Sequence, residues 1–126
     1  MKEIKAYVRR SKMDDVVHGL KQIGVKAMSV TTVEGLGALA DPGASELSLN
    51  YVTSYSLVDK IEIVCREDDA RLIADTLSRL ARTGSRGDGV IFISEIERAI
   101  NIRTGEENEF RLDAPGDSQS PGSVAP

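Results

Sequence analysis

Apolar positions recur with two different periods along this chain. Ile4, Ala6 and Val8 alternate with Lys5, Tyr7 and Arg9, which predicts a strand with one buried face and Tyr7 on the other. The period then lengthens. Met13, Val16, Val17, Leu20 and Ile23 fall at helical spacing, with Ser11 and Asp14 as an expected capping pair and Gly24 as a stop, so a helix is predicted over about 12–23. From Ala27 to Val33, Met28, Val30 and Val33 interleave with Ser29, Thr31 and Thr32, a β-prone run closed by Gly35-Leu36-Gly37.

A second unit repeats the first. Lys60 to Cys65 reads as a strand, and Asp68-Asp69 opens a helix whose stripe is Ile73, Leu77, Leu80 and Ala81, ended by Gly84. Val90-Ile91-Phe92-Ile93 is a nearly continuous apolar strand of the kind expected at the centre of a sheet. The order βαββαβ predicts an α+β, ferredoxin-like fold: a four-stranded antiparallel sheet with both helices on one face. The other face needs a cover, and in so short a chain a homo-oligomer is the expected one.

Composition fits one soluble globular domain. The 126 residues are 40% apolar and 29% charged, with a net charge of −4 that disfavours non-specific binding to nucleic acid. Cys65 is the single cysteine, so neither an internal disulfide nor a CxxC metal site can form. No signal peptide or 18-residue apolar run is present, and the expected location is the cytoplasm.

Two loops carry the candidate chemistry. Thr83-Gly84-Ser85-Arg86-Gly87-Asp88-Gly89 lies between a helix and a strand, and Arg103-Thr104-Gly105-Glu106 answers it downstream. Small residues let backbone N–H groups approach an anion, and Arg86 and Arg103 add charge, so a phosphate cradle is one reading; a tight Asp-Gly turn is the other. Residues 37–56 form a connection too long for an ordinary loop. Its Leu39, Leu47, Leu49, Tyr51 and Tyr55 suit a partner surface, although 51–57 can equally extend the next strand.

These segments together resemble the PII signalling proteins, trimeric sensors of adenine nucleotides. The resemblance runs over about residues 1–108 without a gap and rests on Lys12 to Val16, Ile23-Gly24-Val25, Met28-Ser29-Val30, Gly35-Leu36-Gly37, Lys60 to Val64, Thr83 to Gly89 and Ile102 to Glu106. It implies a homotrimeric domain over 1–112, with a partner-touching T-loop at about 37–56, a B-loop at 83–89 and a C-loop at 101–106. It places a nucleotide between subunits, in reach of Tyr7, Ser29, Gly35, Leu36, Gly37, Glu62, Val64, Thr83, Arg86, Gly87, Asp88, Gly89 and Arg103. It also makes Leu47, Leu49, Tyr51 and Tyr55 candidates for partner contact, and Tyr51 for modification, since bacterial relatives uridylylate a tyrosine there.

Departures from the family pattern reshape that expectation. The family's glutamine and lysine for 2-oxoglutarate are Leu39 and Val58 here, and its basic residues for phosphate are Ala38, Val90 and Asn101. A desolvated dicarboxylate needs polar or cationic partners that Leu39 and Val58 lack. The expected protein therefore lacks the usual 2-oxoglutarate response and binds ADP or AMP at least as well as ATP, unless Arg86 restores the charge. Tyr7 replaces an aliphatic residue and either stacks on the base or fills the pocket. Leu47 stands where the family's channel-plugging arginine falls, so the target is expected to be another membrane transporter or a cytoplasmic enzyme.

Two readings from other classes remain. An enzyme lacks support: His18 is the single histidine, Cys65 has no neighbour to activate it, Asp14-Asp15 and Asp68-Asp69 suit helix starts, and no metal or cofactor motif occurs. A nucleotide-independent trimeric scaffold, or a sensor of another small ligand such as bicarbonate, is the alternative. Beyond Leu112, Pro115, Gly116, Pro121 and Gly122 lead to the expectation of a disordered tail over 113–126, without the redox cysteines of some divergent relatives.

Overall fold

The computed structural model of the chain describes residues 1–43, 46–47 and 54–107. The elements run β1 (Lys2–Val8), α1 (Met13–Gln22), β2 (Ser29–Leu36), β3 (Glu46–Leu47), β4 (Ser54–Cys65), α2 (Glu67–Ala81) and β5 (Gly89–Glu95). The main strands lie in the order β2-β4-β1-β5, all antiparallel, with β3 pairing β4. This is the expected ferredoxin-like arrangement.

Register explains how one face becomes the core. Ile4 pairs with Ile63 and Ala6 with Ile61, so their side chains share a face, and Cys65 continues it. On that face they join Met13, Val16 and Leu20 of α1 and Ala70, Ile73, Leu77 and Ala81 of α2 in a single buried cluster. Both helices therefore cover the same side of the sheet. Their axes approach closely at Gly19, where a Cβ would stand 2.2 Å from Leu80 Cδ1.

Element boundaries differ from the sequence expectation in ways that have local causes. Ser11 does not cap α1: Arg10–Lys12 form a 3-10 turn, Lys12 N–H bonds to the Arg9 carbonyl at 3.0 Å, and no side chain caps the helix. At the other end Gly24 N–H bonds to Lys21 O and Val25 N–H to Leu20 O, both at 3.0 Å, the paired bonds of a Schellman stop. Helix α2 ends at Ala81 with Arg82 already extended, so Gly84 belongs to the following turn and is not the helix stop. Strand β4 begins at Ser54, which makes Tyr55 part of a strand paired with Leu36.

Strand β5 corrects the expectation of a central strand. Among the described strands it pairs only with β1 and lies at the sheet edge, with Phe92 and Ile93 half exposed. Its inward contact is Ile91, which packs against the core. Val90 and Phe92 face away from this chain's own core, and Ile93, on the core face opposite Ile4, stays half exposed, so continuous apolarity here marks a surface left uncovered by the single chain.

Candidate functional site

Strand parity places the first group of candidate residues. Since Ile4, Ala6, Val8, Ile61 and Ile63 point at the helices, Tyr7, Glu62 and Val64 project from the opposite, open face. Ser29 pairs with Glu62 and joins them, while Tyr7 lies between Lys60 and Val90. Lys60 Nζ stands 3.5 Å from Glu62 Oε1. The Tyr7 ring meets Phe92 edge to face, with centroids 6.4 Å apart and planes at 82°.

A second group gathers at the far end of β2. Ser29 and Leu36 are seven residues apart on that strand, roughly 23 Å at ordinary strand rise. Gly35 and Leu36 pair with Ser56 and Tyr55, and Gly37 begins a 3-10 turn to Leu39. That turn closes over Val58, which is buried although it has the parity of the open face. A Cβ on Gly35 would stand 2.4 Å from the Leu39 carbonyl and 3.3 Å from Val58 Cγ2.

The Thr83–Gly89 turn is organised around its own acid. Asp88 Oδ2 accepts from the N–H groups of Thr83 and Gly84, both at 2.8 Å, and Oδ1 accepts from Thr83 Oγ1 at 2.5 Å and Arg9 Nε at 3.2 Å. The expectation that these loop N–H groups face a bound anion is thus revised: two of them already hold the Asp88 carboxylate. These bonds, the Thr83 hydroxyl foremost, push the Asp88 carboxyl well below the usual carboxylate range. Arg86 is exposed and makes no side-chain hydrogen bond or ion pair among the described residues. An open cleft of ≈420 Å³ is lined by Arg86, Thr83, Ser85, Arg9, Asp41 and Gly43.

The lowered Asp88 pKa has a defined consequence with pH. A carboxyl whose folded value is lowered contributes order above its unfolded value and loses it only as pH falls through the folded one. Protection of the Thr83 and Gly84 amides should therefore persist at about pH 4, where ordinary carboxyls are half protonated. Backbone NMR across an acid titration checks this; loss of both amides near the ordinary carboxylate value would exclude the caged arrangement.

Arg103 lies on a third element. Ile100 bridges to Glu107, and Asn101 Oδ1 accepts the N–H groups of Arg103 at 3.0 Å and Thr104 at 3.3 Å. Asn101 thus shapes the turn that presents Arg103. Among the described residues no hydrogen bond or ion pair joins 101–106 to 83–89 within the chain. Ile102, beside Arg103, is 98% exposed. Leu49, Tyr51 and the 113–126 tail fall outside the described residues, as does the Leu47 side chain on β3.

Sequence reasoning passed over Arg9 and Asp41. Arg9 was legible only as the outward continuation of β1, and nothing in its spacing points to an acid 32 residues away. The structure pairs them across two loops.

The family model described as nitrogen regulatory protein P-II matches residues 1–106. The chain belongs to the P-II family. It is 40% identical over 114 residues to the nitrogen regulatory protein P-II of Klebsiella oxytoca and to P-II 1 of Escherichia coli (strain K12), covering 89% of this chain and 100% of each relative. The P-II of Pasteurella multocida (strain Pm70) is 39% identical over 111 residues, 86% of this chain and 97% of that one. Family members of this kind are regulatory proteins. No described helix is long and apolar enough to cross a membrane, and among the described residues no cluster of His, Cys, Asp and Glu could hold a metal ion. Cys65 is buried, and burial raises its thiol pKa, the opposite of what a nucleophile needs.

Proposed function

We propose that this P-II protein is a homotrimeric regulator that binds adenine nucleotides between subunits and acts on a protein target through the connection at 37–56. The observation that carries the reading is the separation of its candidate residues. Tyr7, Ser29, Glu62 and Val64 occupy the open face, Gly35–Gly37 and Thr83–Gly89 one end of the sheet, and Arg103 a separate turn. One chain supplies the parts of a nucleotide site without enclosing it. A neighbour packed on the open face would complete it, and the uncovered Val90, Phe92 and Ile102 suit such a contact.

Ligand preference follows from charge. Arg86 and Arg103 are the exposed cations of the two loops, whereas Ala38, Val90 and Asn101 offer none and Arg9 is already engaged by two carboxylates. A charge-assisted hydrogen bond contributes ~1.5–3 kcal/mol, so few cations disfavour the most highly charged nucleotide. ADP and AMP should bind at least as well as ATP. For 2-oxoglutarate, Val58 sealed beneath the 37–39 turn and Leu39 above it present apolar surface where a dicarboxylate needs donors.

Calorimetric titration of the intact protein with ATP, ADP and AMP, each with and without 2-oxoglutarate, tests this. The expected result is ADP or AMP binding that 2-oxoglutarate leaves unchanged. A marked preference for ATP, or a 2-oxoglutarate effect in the presence of Mg-ATP, would contradict the ligand assignment. No nucleotide binding at all would favour the scaffold or the sensor of another ligand such as bicarbonate, with the Tyr7–Phe92 pair filling the base position.

A further inference from the structure

Arg9 leaves the end of β1 with its side chain only 14% exposed, and its three guanidinium nitrogens donate into two different loops. Nη1 bonds to the Asp41 carboxylate, Nε to Asp88 Oδ1 at 3.2 Å, and Nη2 to the Arg86 carbonyl at 2.5 Å. Asp41 belongs to the long connection after β2, whereas Arg86 and Asp88 belong to the 83–89 turn. Asp41 is itself anchored, its N–H donating to Ser56 Oγ of β4 at 2.6 Å and its Oδ1 accepting from Gly43 N–H at 3.0 Å. The loops also touch directly: a Cβ at Gly87, where φ is +96°, would lie 2.7 Å from Asp41 Oδ1 and 2.8 Å from Pro42 Cδ.

We propose that Arg9, Asp41 and Asp88 form an ionic latch that joins the base of the long connection to the glycine-rich turn as one unit. The planar fork of arginine holds its donor nitrogens apart in fixed directions, whereas a lysine gathers its three donors on one atom. Two carboxylates facing each other would repel; the shared cation makes their approach favourable. Displacing either acid therefore weakens the hold on the other loop, because the remaining pair loses the geometry that the third member fixed. The regulatory consequence rests on the reading of 83–89 as a ligand loop and 37–56 as a partner loop: a ligand entering the cleft beside Arg9 would alter the connection through this cluster. The latch itself needs no ligand.

Hydrogen exchange on the ligand-free full chain tests it by reciprocity, since coupling between two sites acts equally in both directions. Asp41→Asn should speed exchange at the amides of residue 41 and Gly43 and also at Thr83 and Gly84, and Asp88→Asn should speed both pairs as well, each by about tenfold. Arg9→Lys, which keeps the charge and loses the fork, should loosen the two loops together. Amides of Leu20 and Ile63 in the core serve as the fold control and should stay at wild-type protection. If each aspartate variant speeds only its own loop, or Arg9→Lys changes neither, the latch is overturned. Failure of nucleotide binding in calorimetry would leave this result standing, so the two readings fail separately.

Discussion

Gly89→Ala should be the most damaging single methyl addition in the described chain, lowering stability on the order of 3 kcal/mol or more. Gly89 opens β5 at φ +108°, and a Cβ there would stand 1.8 Å from the Tyr7 carbonyl oxygen and 2.9 Å from its carbon. Both neighbours are backbone, so no side-chain rotation relieves the clash, and the β1–β5 pairing at Val8↔Gly89 must open. Gly84 provides the comparison, with φ +87° but nothing within 4 Å of an added Cβ. Gly84→Ala should therefore lose about 1–2 kcal/mol, the cost of left-handed backbone for an L-residue. For a domain of this size, thermal unfolding should place the Gly89 variant at least about 10 °C below wild type and well below the Gly84 variant. Equal losses would mean that conformation, not close approach, sets the requirement for glycine at 89.

The fold was legible because its signals are local and periodic. Alternation at Ile4, Ala6 and Val8, the helical stripe from Met13 to Leu20 and the Gly24 stop each require only neighbours along the chain, and all place the core residues that the structure buries. The failures share a different cause. Ser11 has capping chemistry, but the chain leaves β1 through a 3-10 turn that satisfies the first N–H groups by backbone. Val90–Ile93 reads as a central strand because a continuous apolar run carries no signal of which strand ends at the edge of the sheet.

The placement of the candidate residues was legible in part for the same reason. Candidate residues fixed by strand parity, Tyr7, Glu62 and Val64, lie together on the open face as their spacing requires. The glycine-rich turn was visible as a turn, yet Asp88 as its resident anion depends on which way a carboxylate points. Arg9 and Asp41 carry no local signal at all, since their pairing depends on two loops meeting at the end of the sheet. Charge pairs of that kind are products of topology, and a single sequence holds them only implicitly.

The uncovered edge of the sheet gives the second large effect. Phe92 is 53% exposed on the open face, against Tyr7, while Val90 precedes it on the same face and Ile102 stands fully exposed nearby in sequence. An aromatic side chain buries 150–250 Å² in all, and covering the exposed half of Phe92 at about 25 cal/mol per Å² is worth about 2–3 kcal/mol to an interface. In the proposed trimer, Phe92→Glu replaces that contact with a charge that must be desolvated at each interface. The expected outcome is conversion of a trimer to monomers in sedimentation analysis, with the far-ultraviolet circular dichroism of the monomer fold retained because Phe92 lies outside the core cluster. Nucleotide binding should vanish with the trimer, since the open face and the loops then have no neighbour to complete a site. Monomers that still bind nucleotide would locate the whole site within one chain; a trimer that survives the substitution would place the interface on a different face.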